Sequence, residues 1–391
     1  MWFHGKNVLT EKHRPKYQEI VLDLRKAITL GEYKEGQRIP SEADLVKRFS
    51  TSRITVQRAL KDLQHQGLID RRAGSGTFVR TVDRTEKFVF GLLIPGLGET
   101  EIFEPICQGM ARAGRVGGHA LLWGDTTHNS GNKEQQTREL CEYYISRDVT
   151  GVFFAPVELS PNKDSVNLWI LEALERARIP VVLLDRCVFR YPNRSSFDLV
   201  GIDNRRAGYT VTKHLLNLGC KHLVFLAAPY SAPTVDARID GFRDAIRDHG
   251  LKDGDAGTHI GSPDDSDAIR TTLSKQKPDG FVCANDRTAA HLMRTLDQLG
   301  VCVPDEMRVV GIDDVKYAAL LGVPLTTVRQ PCREIGEVAI TLMLDRIAHP
   351  GMPSRDILLD CKLVVRKSCG SHLENDGVAR RTSARKSGSD D

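Results

Sequence analysis

From residue 88 onward, short apolar runs recur along the chain with helical segments between them. A long strand–helix alternation is typical of parallel sheets that carry helices on both faces. The predicted strands are 88–94, 119–123, 150–154, 180–185, 198–202, 222–227, 279–283 and 307–312. The predicted helices begin near residues 102, 133, 165, 204, 234, 265 and 286. This part of the chain is therefore predicted to be an α/β domain.

The first 80 residues follow a different plan. Residues 16–30 place apolar side chains at helical spacing. Ser41 is the predicted N-cap of a second helix, and Thr51 or Ser52 that of a third. Two short strands then flank a glycine-rich turn at residues 73–76. Short amphipathic helices followed by a basic hairpin predict a winged helix-turn-helix.

Positive charge is concentrated in this first part. Residues 1–80 contain 16 lysines and arginines against 9 acidic residues, whereas the remainder contains 39 against 42. Basic side chains bind nucleic acid by neutralising phosphates, so the asymmetry favours DNA binding by residues 1–80. A solvated basic face without function is one alternative, and a winged helix used for protein contacts is another.

A recognition helix reads DNA with side chains near its N-terminus, and the third helix offers polar ones there. Arginine can bind guanine, and glutamine can bind adenine, through two hydrogen bonds. Small residues in the turn would let the hairpin backbone approach phosphate or the minor groove. The predicted DNA-binding residues are Ser41, Ser52, Arg53, Thr55, Gln57, Arg58, Arg72, Gly74 and Gly76.

Several protein classes are disfavoured by the sequence. No apolar run approaches the roughly 18 residues that span a bilayer, and the N-terminus lacks the plan of a signal peptide, so a cytoplasmic location is expected. The nine cysteines are scattered without C-x-x-C spacing, which disfavours zinc ribbons, redox sites and disulfides. The α/β region has no motif for a nucleophile elbow, for a phosphate-binding loop or for a zinc-binding pair of histidines on a helix. We therefore predict no enzyme activity, no cofactor and no metal.

Polar residues follow several predicted strands of the α/β domain. They are Asp185, Asn285, Asp286 and Asp313, joined by Arg238 from a helix. Because ligands of open α/β sheets bind beyond the carboxyl ends of the strands, these groups are predicted to hydrogen-bond a polar ligand. Phe103 or Trp123 would supply an apolar platform for a sugar face. Asn285 and Asp286 are explained equally well as an N-cap of the next helix.

Two sets of motifs resemble known families. In the first part the motifs are Pro40–Glu42, Ser52–Val56, Ala59–Leu60, Gln66–Leu68 and Gly74–Val79. Together they resemble the DNA-binding domain of the GntR family of bacterial repressors, over residues 15–80. The resemblance implies that Arg53, the residues around Thr55 and the glycine-rich wing contact DNA. Many members carry arginine where this chain has Gln57.

The second set of motifs lies in the α/β region. It consists of Asp198–Gly208, His214–Gly219, Arg238–Phe242, Ala284–Asp286, Val309–Asp314 and Leu325–Pro331. These resemble the effector-binding domain of the LacI/GalR repressors, over residues 88–368. The resemblance implies two lobes joined by three crossover strands, with a ligand in the cleft between them. The pocket positions that it implies are Phe103, Asp185, Arg238, Asn285, Asp286, Asp313 and Gln330.

A GntR-type reader joined to a LacI-type effector domain is the plan of the arabinose-repressor subfamily. The resemblance therefore implies a repressor that binds operator DNA as a homodimer and responds to a small sugar such as a pentose. Two alternatives are an enzyme with a pyridoxal-dependent body and a sugar-transport protein with a nucleic-acid-binding head. The expected domains are a winged helix at 1–80, a linker at 81–87, an effector domain at 88–368 and a disordered tail at 369–391.

Overall fold

The computed structural model describes residues 15–29, 33–34, 36–65, 68–72, 75–79, 87–97, 101–124, 133–252 and 256–373. Internal contacts divide the chain into two units, residues 1–86 and 87–391. The predicted linker and tail lie outside the described ranges for residues 81–86 and 374–391. None of the helices within those ranges combines the length and apolar character that a membrane crossing requires.

The first unit packs three helices beside a two-stranded hairpin. Its elements are α1 (Lys16–Thr29), α2 (Glu42–Phe49), α3 (Arg53–His65), β1 (Ile69–Arg72) and β2 (Gly76–Val79). The hairpin strands pair in antiparallel fashion, with Ile69 opposite Val79. The helices bury their apolar stripes against one another through Ile20, Leu24, Leu45, Val56, Leu60 and Leu63. These elements confirm the predicted winged helix-turn-helix.

Side-chain hydrogen bonds cap the starts of α2 and α3. The Ser41 hydroxyl accepts from the Asp44 amide at 3.2 Å, and the Asp44 carboxylate accepts from the Ser41 amide at 3.1 Å. This reciprocal pair is a capping box, which confirms Ser41 as the N-cap of α2. The Ser52 hydroxyl accepts from the Thr55 amide at 3.2 Å, so Ser52 provides the cap of α3. The short turn leaves the polar start of α3 exposed.

The second unit alternates strands and helices. Its elements are β3 (Val89–Leu93), α4 (Phe103–Gly117), β4 (Ala120–Trp123), α5 (Lys133–Ser146), β5 (Gly151–Phe154), α6 (Lys163–Arg176), β6 (Val181–Leu184), β7 (Asp198–Ile202), α7 (Asn204–Asn217), β8 (Leu223–Ala227), α8 (Pro233–Asp248), β9 (Ala256–Ile260), α9 (Ser266–Gln276), β10 (Gly280–Cys283), α10 (Asp286–Gln298), β11 (Arg308–Asp313), β12 (Thr326–Arg329), α11 (Cys332–Ala348), β13 (Asp356–Leu359) and β14 (Lys362–Val364). The eight predicted strands and seven predicted helix starts are all confirmed to within about two residues.

These strands form two six-stranded sheets, and we call the part built on each sheet a lobe. The order in lobe 1 is β13-β7-β6-β5-β3-β4, and all pairs are parallel. The order in lobe 2 is β14-β12-β11-β10-β8-β9, and only the edge strand β14 runs antiparallel. In each sheet the first strand lies between the second and the third. Ligands of doubly wound sheets bind beyond the carboxyl ends of the strands at this reversal of order.

The chain crosses between the lobes three times, as the resemblance implied. It leaves lobe 1 after β7 at Asp203, because α7 packs on the lobe 2 strands β10, β11 and β12. It returns after β12 at Gln330, because α11 packs on β6 and β7. The third crossing joins β13 to β14 at Asp360 and Cys361. Lobes joined by a few short connections commonly close around a ligand by hinge motion.

The structure adds elements that the sequence analysis did not predict, namely β9, β12, β13, β14 and α11. Strand β9 carries little apolar signal, and β12 buries two threonines, Thr326 and Thr327, in place of apolar side chains. The folded region also continues beyond residue 368, since Cys369 is fully buried and Gly370 packs beside Arg308. The predicted start of the tail at residue 369 is therefore too early.

Candidate functional site

Loops beyond the carboxyl ends of the strands in both lobes enclose a cavity of about 380 Å³. Glu158 and Asp185 of lobe 1 line it after β5 and β6, and Asn285 and Asp313 of lobe 2 line it at the ends of β10 and β11. Arg238 reaches it from α8. Four of the predicted ligand residues, Asp185, Arg238, Asn285 and Asp313, are thus brought together. Their convergence follows from the parallel sheets, whose carboxyl ends face one cleft.

On the lobe 1 side, Asp185 and Arg186 form a buried ion pair. The Arg186 Nε lies 3.1 Å from Oδ2 of Asp185, and the guanidinium also pairs with Glu158. Asp185 has a φ of +68°, a left-handed conformation that is unusual for a residue with a Cβ and that turns its side chain after β6. Its second oxygen, Oδ1, is buried and accepts no hydrogen bond from any described residue.

Burial raises the pKa of the Asp185 carboxyl, and the guanidinium groups of Arg186 and Arg238 counteract this only in part. Burial acts in the same direction on Glu158, but the attraction of Arg186 outweighs it and leaves the pKa of Glu158 lowered. The ion pair therefore keeps Glu158 charged, whereas Oδ1 of Asp185 lacks a donor among the described residues. A ligand hydroxyl that donates to Oδ1 of Asp185 would satisfy the buried oxygen.

On the lobe 2 side, Arg238 is held by several acceptors. Its Nε donates to Oδ1 of Asn204 at 2.8 Å, and Nη1 donates to the Ala284 carbonyl at 2.6 Å. Its Nη2 lies 3.7 Å from Oδ1 of Asp313. Helices α7 and α8 approach so closely that a Cβ on Gly208 would overlap the Arg238 carbonyl. The helix contact and the hydrogen bonds fix the guanidinium at the cavity wall.

Gln330 belongs to the same network through Asp313. Its Nε2 donates to Oδ1 of Asp313 at 2.7 Å, while its Oε1 is buried and has no partner among the described residues. Burial raises the pKa of Asp313 to about 8, against the opposing attraction of Arg238. Gln330 and Asp313 both line a second cavity of about 580 Å³ on the crossover side. Gln330 thus contacts Asp313, which lines the first cavity, but Gln330 itself does not line that cavity.

The Asn285–Asp286 pair divides into two roles. The Asn285 side-chain oxygen accepts from the Thr288 amide at 2.8 Å, so Asn285 caps α10 while it also lines the cavity. Asp286 is fully buried, accepts from the Thr327 hydroxyl at 2.5 Å and the Val315 amide at 3.0 Å, and is not among the lining residues. Burial raises its pKa to about 6. The structure gives Asp286 a packing role rather than a place in the cavity.

The predicted apolar platform is also outside the cavity. Phe103 is 1% exposed, and the Arg186 guanidinium lies over its ring at 5.4 Å from the centroid. The Phe103 ring therefore packs against the Arg186 guanidinium and does not line the cavity. Trp123 is an exposed residue of the edge strand β4. Neither of the two predicted aromatic side chains lines the cavity, whereas Tyr317 does.

Several lining residues were missed by sequence reasoning. They are Glu101, Lys133, Glu158, Ser231, Asp264, Arg287, His291 and Tyr317. Glu158 obeys the rule that singled out Asp185, because it follows the carboxyl end of a strand, but a longer loop separates it from β5. Nδ1 of His291 lies 2.9 Å from a carboxylate oxygen of Asp264, and no local sequence pattern predicts this pair. Such pairings depend on contacts between distant parts of the chain.

The exposed start of α3 is organised by one acidic residue of α2. Oε2 of Glu42 accepts from Nε of Arg53 at 2.9 Å and from Nε2 of Gln57 at 3.1 Å. Its other oxygen pairs with Arg71 of the hairpin. The hydrogen bond from Arg53 is the main reason that the pKa of Glu42 is lowered, since its modest burial acts the other way. Glu42 therefore joins the recognition helix to the wing, and sequence reasoning did not single it out.

The remaining predicted DNA-binding residues have varied surroundings. Arg58 stacks over the Tyr17 ring at 4.1 Å, and Arg72 over the Phe78 ring at 5.0 Å. The Ser52 and Thr55 hydroxyls lie 2.8 Å apart. Gly76 has a φ of +115°, which favours glycine. Gly74 lies outside the described residues. Apart from Gly74, the predicted set lies on α3, the cap of α2 and the hairpin.

Fold and sites together define the class of the protein: a winged-helix regulatory domain joined to a two-lobed ligand-binding domain. The family model for bacterial regulatory proteins of the gntR family matches residues 16–79, and that for the periplasmic binding protein-like domain matches residues 212–369. The chain thus matches a gntR-family regulatory domain within its first unit and a periplasmic binding protein-like domain over part of its second unit.

Relatives match the chain over nearly its whole length. The chain is 27% identical to the arabinose metabolism transcriptional repressor of Geobacillus stearothermophilus, covering 92% of this chain and 99% of that protein. It is 28% identical to the protein of the same name from Halalkalibacterium halodurans, with coverage of 93% and 99%. A solved LacI family transcriptional regulator from Enterococcus faecium with bound ribose has a TM-score of 0.58 and 23% identity, covering 72% of this chain and 98% of that one. This structural likeness shows the fold.

Proposed function

We propose that this protein is a transcriptional repressor that binds operator DNA through its winged helix and releases it when a small sugar occupies the cavity. The observation that supports this most directly is the buried, unpaired Asp185 Oδ1 in a cavity between two hinged lobes. The plan is shared by full-length relatives named as arabinose metabolism repressors. Because such a protein acts on chromosomal DNA, we place it in the cytoplasm.

The effector that fits the cavity is a neutral monosaccharide, and we propose a pentose. The buried charges balance even when Asp313 is protonated, because the two guanidinium groups of Arg186 and Arg238 act on the carboxylates of Glu158 and Asp185. The cavity therefore offers hydrogen-bond partners for hydroxyls rather than a counter-ion for a phosphate or carboxylate. Its volume of about 380 Å³ is near the lower end for ligand sites. The names of the relatives favour arabinose among the pentoses.

We propose that the protein acts as a homodimer on a pseudo-palindromic operator, because twofold protein symmetry matches two equivalent half-sites. Ligand would close the lobes and thereby change the placement of the two DNA-binding units. A coupling free energy of about 1–3 kcal/mol would change operator affinity by about 5–150-fold. Mutations in the winged helix should then impair DNA binding and leave sugar binding intact, whereas mutations in the cavity should impair the sugar response and leave DNA binding intact.

The proposal is tested by the melting temperature of the full-length protein in the presence of neutral monosaccharides and their phosphate esters. A neutral pentose should raise the melting temperature in a concentration-dependent way, because a ligand that binds only the folded state stabilises it. The corresponding phosphate esters should have no effect. Stabilisation by phosphate esters alone would contradict the neutral-sugar assignment.

Sugar affinity should rise with pH. Burial holds the pKa of Asp313 at about 8, so much of this carboxyl is protonated at neutral pH. Hydroxyls that donate to the carboxylate favour its charged form, so binding releases a proton and becomes weaker below that pKa. Calorimetric affinity should be about ten-fold weaker at pH 7 than at pH 9.

The control for this pH dependence is Asp313→Asn, which keeps the shape of the side chain and cannot titrate. Its sugar affinity should be the same at pH 7 and pH 9. An affinity that falls with rising pH in the unmodified protein would show that Asp313 does not accept hydrogen bonds from the sugar.

Gln57→Ala should relax the preference for one base pair in each half-site. If Gln57 pairs with adenine, its loss costs about 1–3 kcal/mol of discrimination at that position. In the free protein its Nε2 is held by Glu42, which keeps the amide at the exposed surface of α3. Selection from a random duplex library gives the preference at each position. Gln64→Ala, an exposed glutamine of the same helix, is the matched control. A preference profile that Gln57→Ala leaves intact would remove Gln57 from base reading.

A further inference from the structure

A large apolar side chain stands in solvent at the start of α3. Ile54 is 79% exposed, whereas Val56, Leu60 and Leu63 of the same helix are fully buried. Its exposed position therefore lies on the side of the helix that turns away from the core of the unit. A β-branched residue at such a position stabilises neither the helix nor the core, and its apolar surface is open to solvent.

Polar groups with fixed positions flank Ile54. Gln57 and Arg58 follow it by three and four residues, a spacing that places them on the same face of the helix. Gln57 and the adjacent Arg53 are held by Glu42, and Arg58 is stacked on the Tyr17 ring. One apolar side chain thus lies among hydrogen-bonding groups whose positions are set before any partner binds.

We propose that Ile54 contacts the C5-methyl group of a thymine in the major groove and makes the protein select thymine at one position of each half-site. This inference rests on the proposed DNA-binding function. Among the base edges in the major groove, the thymine methyl is the apolar group, and aliphatic side chains contact it. Arg53 and Gln57 beside Ile54 match the hydrogen-bonding edges of neighbouring base pairs.

DNA is the partner that the charge of this part favours. Residues 1–80 contain 16 lysines and arginines against 9 acidic residues, which complements a phosphate backbone. Basic neighbours such as Arg53 and Arg58 would repel the same face of a second copy. Contact of two Ile54 side chains across a dimer is therefore the less favourable arrangement, and its occurrence would be visible in the molecular mass.

The test exchanges thymine for deoxyuridine, which removes only the methyl group. A duplex is first selected from a random library by the full-length protein, and each thymine of a half-site is then replaced singly. At one position the exchange should weaken binding of the unmodified protein about four-fold, the loss expected for one buried methyl group of about 0.8 kcal/mol. For Ile54→Ser, the same exchange should have no effect. Leu22→Ser, which alters an exposed residue of α1, should keep the four-fold effect.

Several results would overturn the inference. They are a selected half-site without a required thymine, an equal deoxyuridine effect in the unmodified protein and Ile54→Ser, or a loss of dimer mass in Ile54→Ser. In each of these cases salt-dependent binding of the unmodified protein to the selected duplex would still support the proposed function. Failure of the unmodified protein to select any duplex would instead contradict the proposed function itself.

Discussion

Full-length protein carrying Asp185→Ala should no longer be stabilised by the sugar effector, and its attachment to DNA should become insensitive to that sugar. The carboxylate is the acceptor at the centre of the lobe 1 wall, and its Oδ1 is buried without a partner in the free protein. A hydrogen bond to a charged acceptor contributes about 1.5–3 kcal/mol, so the loss of the bond to Oδ1 weakens sugar binding by about 10–150-fold.

The fold should survive this substitution. Arg186 keeps its ion pair with Glu158 and its stacking on the Phe103 ring, so the guanidinium is not left without a partner. Asp240→Ala removes an aspartate that is half exposed on α8 and serves as the matched control. The measurements are the sugar-dependent shift in melting temperature and the DNA affinity with and without sugar. A normal sugar response in Asp185→Ala would remove Asp185 from the binding site.

Arg53→Ala should weaken operator binding while sugar binding is retained. Arg53 lies at the first position of α3, and Glu42 holds its guanidinium at the exposed surface with an Nε–Oε2 distance of 2.9 Å. A bidentate contact from arginine to guanine is worth about 1–3 kcal/mol, and a dimer would lose two of them. The expected loss of affinity is about 30-fold or more.

The control for Arg53→Ala is a variant that loses one positive charge outside the winged helix. Arg243→Ala removes an exposed arginine of α8, outside the winged helix, and should bind DNA as the unmodified protein does. Arg53→Lys keeps the charge but not the planar fork, so it should recover general salt-dependent attachment without recovering base preference. Equal operator affinities of Arg53→Ala and Arg243→Ala would contradict the assignment of Arg53 to the DNA surface.

The sequence was informative wherever local patterns decide the structure. The alternation of apolar runs and helices predicted the strands and helix starts, and the rule of carboxyl strand ends singled out Asp185 and Asp313, which line one cavity. Ser41 was identified as a cap, and Ser52 as one of two candidates with Thr51, because capping depends on residues three positions away. In these cases the chemistry lies within one turn of helix or at the end of one strand.

Long-range pairing explains what could not be predicted. Asp286 was predicted to bind the ligand, but its carboxylate accepts a hydrogen bond from the hydroxyl of Thr327, which lies far along the chain on β12. Phe103 looked like a sugar platform, but Arg186 covers its ring. The role of Glu42 as the common partner of Arg53, Gln57 and Arg71 likewise depends on how α2, α3 and the hairpin fold together.

The proposed function has two halves: the winged helix binds a DNA duplex, and sugar in the cavity between the lobes changes the affinity for that duplex. Fluorescence anisotropy of the full-length protein on a duplex selected from a random library tests both halves, at two salt concentrations and against a panel of neutral monosaccharides. The proposed function requires attachment that weakens steeply with salt and changes by about 5–150-fold with one of the sugars. Attachment without salt dependence, or an affinity that none of the sugars alters, would contradict it.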